Sequence, residues 1–313
     1  MPSILTQPTV NKRSLLWMLT VCFSLGILMT ASVQAQNKKP EPIPKPRKVD
    51  LPTKDGVELS GVYFGSNKGK EAIPVIIIHE WKGQKAPYGS LCMMLQRAGC
   101  AVLAFDYRGH GGSREYTTRT GEKKEFKIET MRRKSVGDIA RFDLETAKKF
   151  FKDENDAEKL NMNALVVIGI REGCVIGTNW AMVDWRYPSV GSRKQGQDVK
   201  ALVMISPERQ VQGVPIDAAL NDPNIGRLPT LIIYGKGSEE ESDSQRIQKL
   251  LEVNKRRLSS GRDPEGLEVI EINEPLGGPS LVSGQSTVIP SIVKFITEQV
   301  KISDSENPWI SRE

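Results

Sequence analysis

The segment Asn163 to Trp180, NALVVIGIREGCVIGTNW, constrains the fold more than any other part of the chain. An unbroken apolar run from Ala164 to Ile170 is followed at once by polar residues and glycines, then by apolar residues at helical spacing. That pattern predicts a strand, a sharp turn and a helix. Gly169 and Gly173 bracket the turn and leave Arg171 at its apex. A side chain at such an apex projects above the carboxyl end of a parallel sheet, where an enzyme would hold a nucleophile. Arginine stays protonated in a folded protein and cannot attack a carbonyl. The geometry reads as catalytic and the residue does not.

The flanking sequence supplies the rest of a parallel sheet. Asp50 to Phe64 reads as an opening strand or hairpin with a turn at Asp55-Gly56, and Ile73 to Ile78 as a strand buried on both faces, ending at His79-Glu80. A short helix over Leu91 to Ala98 precedes the strand Ala101 to Phe105, which delivers Asp106 to Ser113 at its carboxyl end. Arg114 to Arg133 is highly charged and reads as an exposed loop or irregular helix. Ser135 to Lys152 carries a helical apolar stripe. Beyond the turn helix come a polar loop, the strand Ala201 to Ile205, a turn-rich stretch, and the strand Thr230 to Tyr234 followed by the acidic run Glu239-Glu240-Glu241. The helix Ser242 to Arg257, the strand Leu267 to Ile272, a glycine and proline-rich loop and the helix Thr287 to Val300 complete the order. Strands alternating with helices imply a mostly parallel central sheet with helices on both faces.

The first 35 of the 313 residues read as an export signal: Lys12-Arg13, an apolar core from Leu15 to Met29, and small residues at Val33 and Ala35. The alternative is a membrane anchor formed by residues 15-29. Either places the folded part outside the cytoplasm, periplasmic or secreted. Residues 36-49 read as a disordered tether rich in proline and lysine, residues 50-303 as one domain, and residues 304-313 as a flexible tail. Without Lys12 and Arg13 the chain has 42 basic and 38 acidic residues, and much of the excess lies in the tether. The tether therefore suits a position near anionic membrane surfaces. With no basic patch interleaved with aromatics, nucleic acid is not an expected partner.

Cys22 falls in the export segment, leaving Cys92, Cys100 and Cys174 as expected buried free thiols. Cys92 and Cys100 are too far apart along a helix to bridge. The only histidines are His79 and His110, no cysteine spacing suits a metal, and no cofactor is expected.

In this order the segments resemble the α/β-hydrolase fold over Asp50 to about Val300. His79-Glu80-Trp81-Lys82-Gly83 is similar to the histidine and glycine segment after the third strand, with some similarity to the dienelactone hydrolase branch. Asp106 to Ser113 looks like the turn after the fourth strand, Gly169 to Gly173 sits at the nucleophile elbow, and Pro229 to Gly235 resembles the strand before the acid. The resemblance implies hydrolysis of esters, amides or related bonds by a nucleophile, a histidine base and an orienting acid. Carried over residue by residue, the nucleophile position is Arg171, the acid position Ser238, and the base position lies near Gly277, in Leu276-Gly277-Gly278. No histidine follows His110.

Two readings follow. In the first, the chain is a catalytically degenerate homologue, a pseudoenzyme with a binding or structural role. Glu80 would then pair with Arg171 in the former nucleophile site, or Arg171 would receive a small anionic ligand; a protein partner is the other candidate. In the second, it is a noncanonical esterase or peptidase using His79 or His110 as base. Glu172 and Cys174 are weaker nucleophile candidates, the first because its backbone N–H is the group an elbow uses, the second because it falls inside the helix. Trp81, Tyr88, Trp180, Trp185 and Tyr187 line a pocket or belong to the core.

Overall fold

The computed structural model describes residues 42–313 apart from residue 119, residues 192–193 and residues 261–265. The export segment 1-35, the alternative anchor 15-29 and the first six tether residues lie outside the described residues. Among the described residues, no helix is long and apolar enough to cross a membrane.

Eight strands form the central sheet: β1 (Arg47–Pro52), β2 (Glu58–Phe64), β3 (Pro74–Ile78), β4 (Ala101–Phe105), β5 (Leu165–Ile170), β6 (Val199–Ile205), β7 (Thr230–Gly235) and β8 (Leu267–Ile272). Their spatial order is β1-β2-β4-β3-β5-β6-β7-β8. Only β2 runs against its neighbours; every pairing from β4 to β8 is parallel. β3, β4 and β5 are buried at every position, which explains their continuous Val, Ile and Leu content. Successive residues alternate between two cores, with Ile76 and Ile78 on one face and Val75 and Ile77 on the other. Helices α2 (Glu145–Asp156), α3 (Glu172–Arg186) and α4 (Glu241–Leu258) bury Phe151, Trp180 and Leu251 in the first core. Helices α1 (Gly89–Arg97) and α5 (Val288–Gln299) bury Leu91, Leu95 and Phe295 in the second. Each such large apolar side chain contributes about 1.5–3 kcal/mol by leaving water. Cys92, Cys100 and Cys174 are free and buried.

Four expectations need correction. The tether ends earlier than Val49, because Arg47–Pro52 pairs antiparallel with β2 and turns Val49 and Leu51 inward. Its lysines and prolines mask a three-residue alternation that is enough to pair with an existing strand. The charged stretch after Arg114 is a hairpin, Glu115–Thr117 with Lys123–Glu125. The loop after β8 contains a short helix, Gly278–Gly284. The segment 304-313, expected to be a flexible tail, lies against the amino end of the sheet. Its carbonyls at Asn307, Pro308 and Ile310 accept from the side-chain amides of Asn161, Asn163 and Asn155, and Arg312 pairs with the buried Asp198.

Candidate functional site

β5 ends at Ile170 and α3 begins at Glu172, so Arg171 stands alone at the turn with φ 49 and ψ −118. This conformation is rare for a residue with a Cβ and costs roughly 1–3 kcal/mol. The packing enforces it, since the helix must leave the strand at close range. A Cβ on Gly169 would lie 2.5 Å from Cys174 Cα, and one on Gly173 would strike the Ile78 carbonyl. The Arg171 N–H donates to the Ile205 carbonyl at 2.9 Å, which ties the apex to β6.

The guanidinium turns toward the loops after β6 and β7. Nε donates to Glu208 Oε1 at 3.0 Å, Nη1 lies 3.0 Å from Glu240 Oε1, and Nη2 lies 3.8 Å from Glu239 Oε2. Glu240 is buried, Arg171 and Glu208 are partly buried, and Glu239 is exposed. Burial raises the Glu208 carboxyl above its ordinary value, opposed by the hydrogen bond and charge of Arg171. Burial also raises Glu172, and the charge of Glu208 adds to it.

The loop after β8 closes this ion-pair group from above. Gly278 donates its N–H to Ser206 Oγ at 2.9 Å, and a Cβ on Gly278 would come 3.0 Å from Arg171 Cδ. A Cβ on Gly277 would overlap the Glu240 carboxylate. Ser238, the expected acid position, is a turn residue whose Oγ has no hydrogen-bond partner among the described residues. Glu240, two residues later, is the carboxylate that reaches Arg171.

The expected Glu80–Arg171 pair is not formed. Glu80 folds back over Gly83 and accepts the Tyr88 hydroxyl, because the chain turns tightly after β3 with the Gly83 N–H on the Glu80 carbonyl at 3.0 Å. Glu172 instead crosses to that loop: its Oε2 accepts the backbone N–H of Trp81 at 3.2 Å.

His79, Trp81 and His110 do come together, around Tyr107. The Tyr107 ring stacks on His79 with centroids 4.2 Å apart, and His110 lies 4.3 Å from Tyr107 and 4.8 Å from Trp81. Each histidine donates from Nδ1 to a backbone carbonyl, His79 to Glu80 at 2.8 Å and His110 to Arg108 at 2.9 Å. Each Nε2 therefore carries a lone pair, and neither has a hydrogen-bond partner among the described residues. Asp106 Oδ1 is 3.9 Å from His79 Nε2, but that carboxylate is already engaged by Lys85 N–H and Nζ and by Gly112 N–H. Burial pushes His79 down to about 3 and lowers His110, so both are neutral rings sealed in the fold. Neither contacts Arg171. Trp180 is a core residue, its Nε1 on Glu145 at 2.8 Å. No group of three or more His, Cys, Asp or Glu among the described residues is placed to hold a metal.

Sequence reasoning missed Glu208 and Glu240 as the partners of Arg171. The acidic run Glu239-Glu240-Glu241, directly after the strand that carries the acid in the resembled family, was the signal available for one of them.

No family model matches the chain. Two uncharacterized proteins from two strains of Mycobacterium tuberculosis are each 35% identical over 71 residues, which is 23% of this chain and 25% of each relative's length. Solved structures match far more of it. An esterase of Pyrococcus furiosus superposes with TM-score 0.58 at 18% identity, covering 82% of this chain and 92% of the esterase. An esterase of Pyrobaculum calidifontis gives 0.56 at 14% identity over 95% and 96%. A dienelactone hydrolase of Anabaena variabilis gives 0.54 at 16% identity over 83% and 100%. Identities this low carry the architecture alone, and with the strand order and the turn at Arg171 they establish that the chain has the α/β-hydrolase fold.

Proposed function

We propose that the chain is an exported α/β-hydrolase-fold protein that has given up nucleophilic catalysis and serves a binding or structural role. The observation that carries this reading is the Arg171–Glu240 pair under Gly277. At the positions where the fold would hold a nucleophile, a base and an acid stand Arg171, Gly277 and Ser238, and the Glu240 carboxylate that neutralises the cation fills the space beside Gly277. Neither Arg171 nor Gly277 offers a nucleophile, and the Glu240 carboxylate is held by the guanidinium.

The neighbouring loop supports the same reading. In hydrolysis on this fold, an oxyanion is received by the backbone N–H after the apex and by one from the loop after the third strand. Here the Trp81 N–H in that loop is taken by the Glu172 carboxylate. A resident carboxylate holds the kind of donor that a developing oxyanion would need. The four glutamates 172, 208, 239 and 240 also outnumber Arg171, which favours a structural ion-pair role over an anionic ligand at this guanidinium.

Turnover of a panel of short and medium acyl esters by the purified protein and by Arg171→Ala tests the reading. Neither protein is expected to exceed the buffer rate. Turnover well above buffer that disappears in the variant would overturn it. The export component is tested by amino-terminal sequencing of the protein recovered from the extracytoplasmic fraction, with cleavage expected after Ala35.

A further inference from the structure

We propose that a second site, at the opposite end of the sheet from Arg171, binds a small organic anion bearing at least two phosphate or carboxylate groups. Its walls come from four separate parts of the chain. The stretch after β1 gives Lys54, the segment before and within α2 gives Arg141, Lys148 and Lys149, the loop before β6 gives Lys194, and the carboxyl-terminal strap gives Arg312. The cavity measures about 710 Å³, within the range that holds small organic ligands and far larger than one phosphate. Six residues of β5 separate its floor from Arg171, about 20 Å at strand spacing.

Charge decides what it would hold. Seven lysines and arginines line the cavity against three acidic residues. Three of the cations meet at the buried Asp198, Lys148 and Lys194 at 3.3 and 3.2 Å and Arg312 as well. Lys148 also lies 2.6 Å from Asp184, Lys149 2.6 Å from Asp153 and Lys152 3.8 Å from Asp156, so the unneutralised charge rests on Lys54 and Arg141. Lys54 and Arg141 make no ion pair with any described carboxylate, and Lys54 acts on Glu145 only through longer-range charge. A concave surface with more cations than anions focuses positive potential into its mouth. Burial acts against the Lys148 ammonium, but the charges of Asp184 and Asp198 outweigh it and raise that lysine. Lys194 is lowered by burial, and Lys200 behind it is pushed down to about 8 by burial and then by the charge of Lys194.

Two further features favour an organic ligand over a bare ion. Phe142 and the half-exposed Tyr187 give the cavity apolar faces, with the Lys148 ammonium 5.8 Å from the Tyr187 ring centre. Arg141 and Phe142 belong to a π-helical turn, Ile139–Leu144, inserted before α2. Such insertions cost regular hydrogen bonding and concentrate at functional sites. Because Arg312 is part of the wall, occupancy would also hold the strap in place.

The test titrates the purified protein with inorganic tripolyphosphate and, separately, with citrate, each against sodium chloride of matched ionic strength, by calorimetry and thermal melting. Saturable binding of one probe per chain and a rise in Tm are expected, together with slower proteolysis at the strap. The probe that binds more tightly identifies the phosphate or the carboxylate class. In the double variant Lys54→Gln with Arg141→Gln, both exposed and outside the Asp198 group, affinity should fall about tenfold or more, with the unliganded Tm unchanged. A Tm rise no larger than that given by chloride with both probes, or undiminished affinity in the double variant, would overturn the proposal.

Discussion

Arg171 Nη1 and Glu240 Oε1 meet at 3.0 Å between the apex that follows β5 and the loop that follows β7. Two segments that the fold already brings to one crest of the sheet are thereby joined by charge. Arg171 stands at positive φ, so strain and attraction can be separated by substitution.

Arg171→Ala removes the guanidinium and keeps the Cβ at φ 49, whereas Arg171→Gly removes both. The lost ion pairs, partly exposed and discounted for screening, amount to about 1 kcal/mol in either variant. Only glycine releases the strain of roughly 1–3 kcal/mol. Urea unfolding should therefore find Arg171→Gly more stable than Arg171→Ala by about 1–2 kcal/mol. Equal stabilities would mean that the apex carries no strain.

Gly277 is the position at which a side chain and the Glu240 carboxylate compete for one volume. Gly277→Ala must push Glu240 away from Arg171 and should cost about 1–2 kcal/mol. In the Glu240→Ala background the space is open and the same substitution should be close to neutral. A double-mutant cycle reads the difference as a coupling of about 1 kcal/mol or more, and strict additivity would show that Glu240 does not fill the base position.

The strand–turn–helix at Arg171 was legible because burial on both faces forces a continuous apolar strand and because close packing forces glycine at 169 and 173. The absence of a late histidine needed no geometry at all. What stayed hidden was direction. Glu80 and Glu240 are both carboxylates at the ends of neighbouring segments, and only the tight turn at Gly83 sends the first to Tyr88 and leaves Arg171 to the second. The strap was hidden for a related reason. Asn155 lies in the last turn of α2, and Asn161 and Asn163 lie in the turn before β5; nothing in their spacing says that their amides wait for the carbonyls of a segment about 150 residues later.

Burial holds His79 at about 3 and lowers His110 from the ordinary 6.5. The unfolded chain takes up protons on these residues as the pH falls below 6.5, and the folded chain does not. Stability is thus full above pH 6.5 and is lost as the pH falls toward the folded values, by up to about 1.4 kcal/mol per pH unit for each histidine. His79→Asn keeps an N–H for the Glu80 carbonyl and removes the titrating ring. Between pH 6 and pH 5 the wild type should lose about 1.2 kcal/mol more than the variant in urea titrations. Parallel losses would show that His79 is not held neutral.

The strap gives the largest expected change in stability. Asn155, Asn161 and Asn163 are buried, and their side-chain amides donate to Ile310, Asn307 and Pro308 carbonyls at 3.0, 2.8 and 2.5 Å. Lys70 Nζ sits 4.1 Å from the Trp309 ring centre, and Arg312 joins Asp198 to the Lys194 carbonyl. Cutting the chain after Ser303 would strip these partners at once and bare the amino end of β5 and β6. With about 1–3 kcal/mol for each buried group left unpaired, offset where water reaches it, the truncation should cost about 3–6 kcal/mol. Arg312→Ala alone leaves Asp198 with Lys148 and Lys194 and should cost only about 1–2 kcal/mol. Denaturant midpoints of the two variants against wild type check the ranking. If the truncated chain unfolds at the wild-type midpoint, the strap contributes nothing to the fold and its contacts with the three asparagines are incidental.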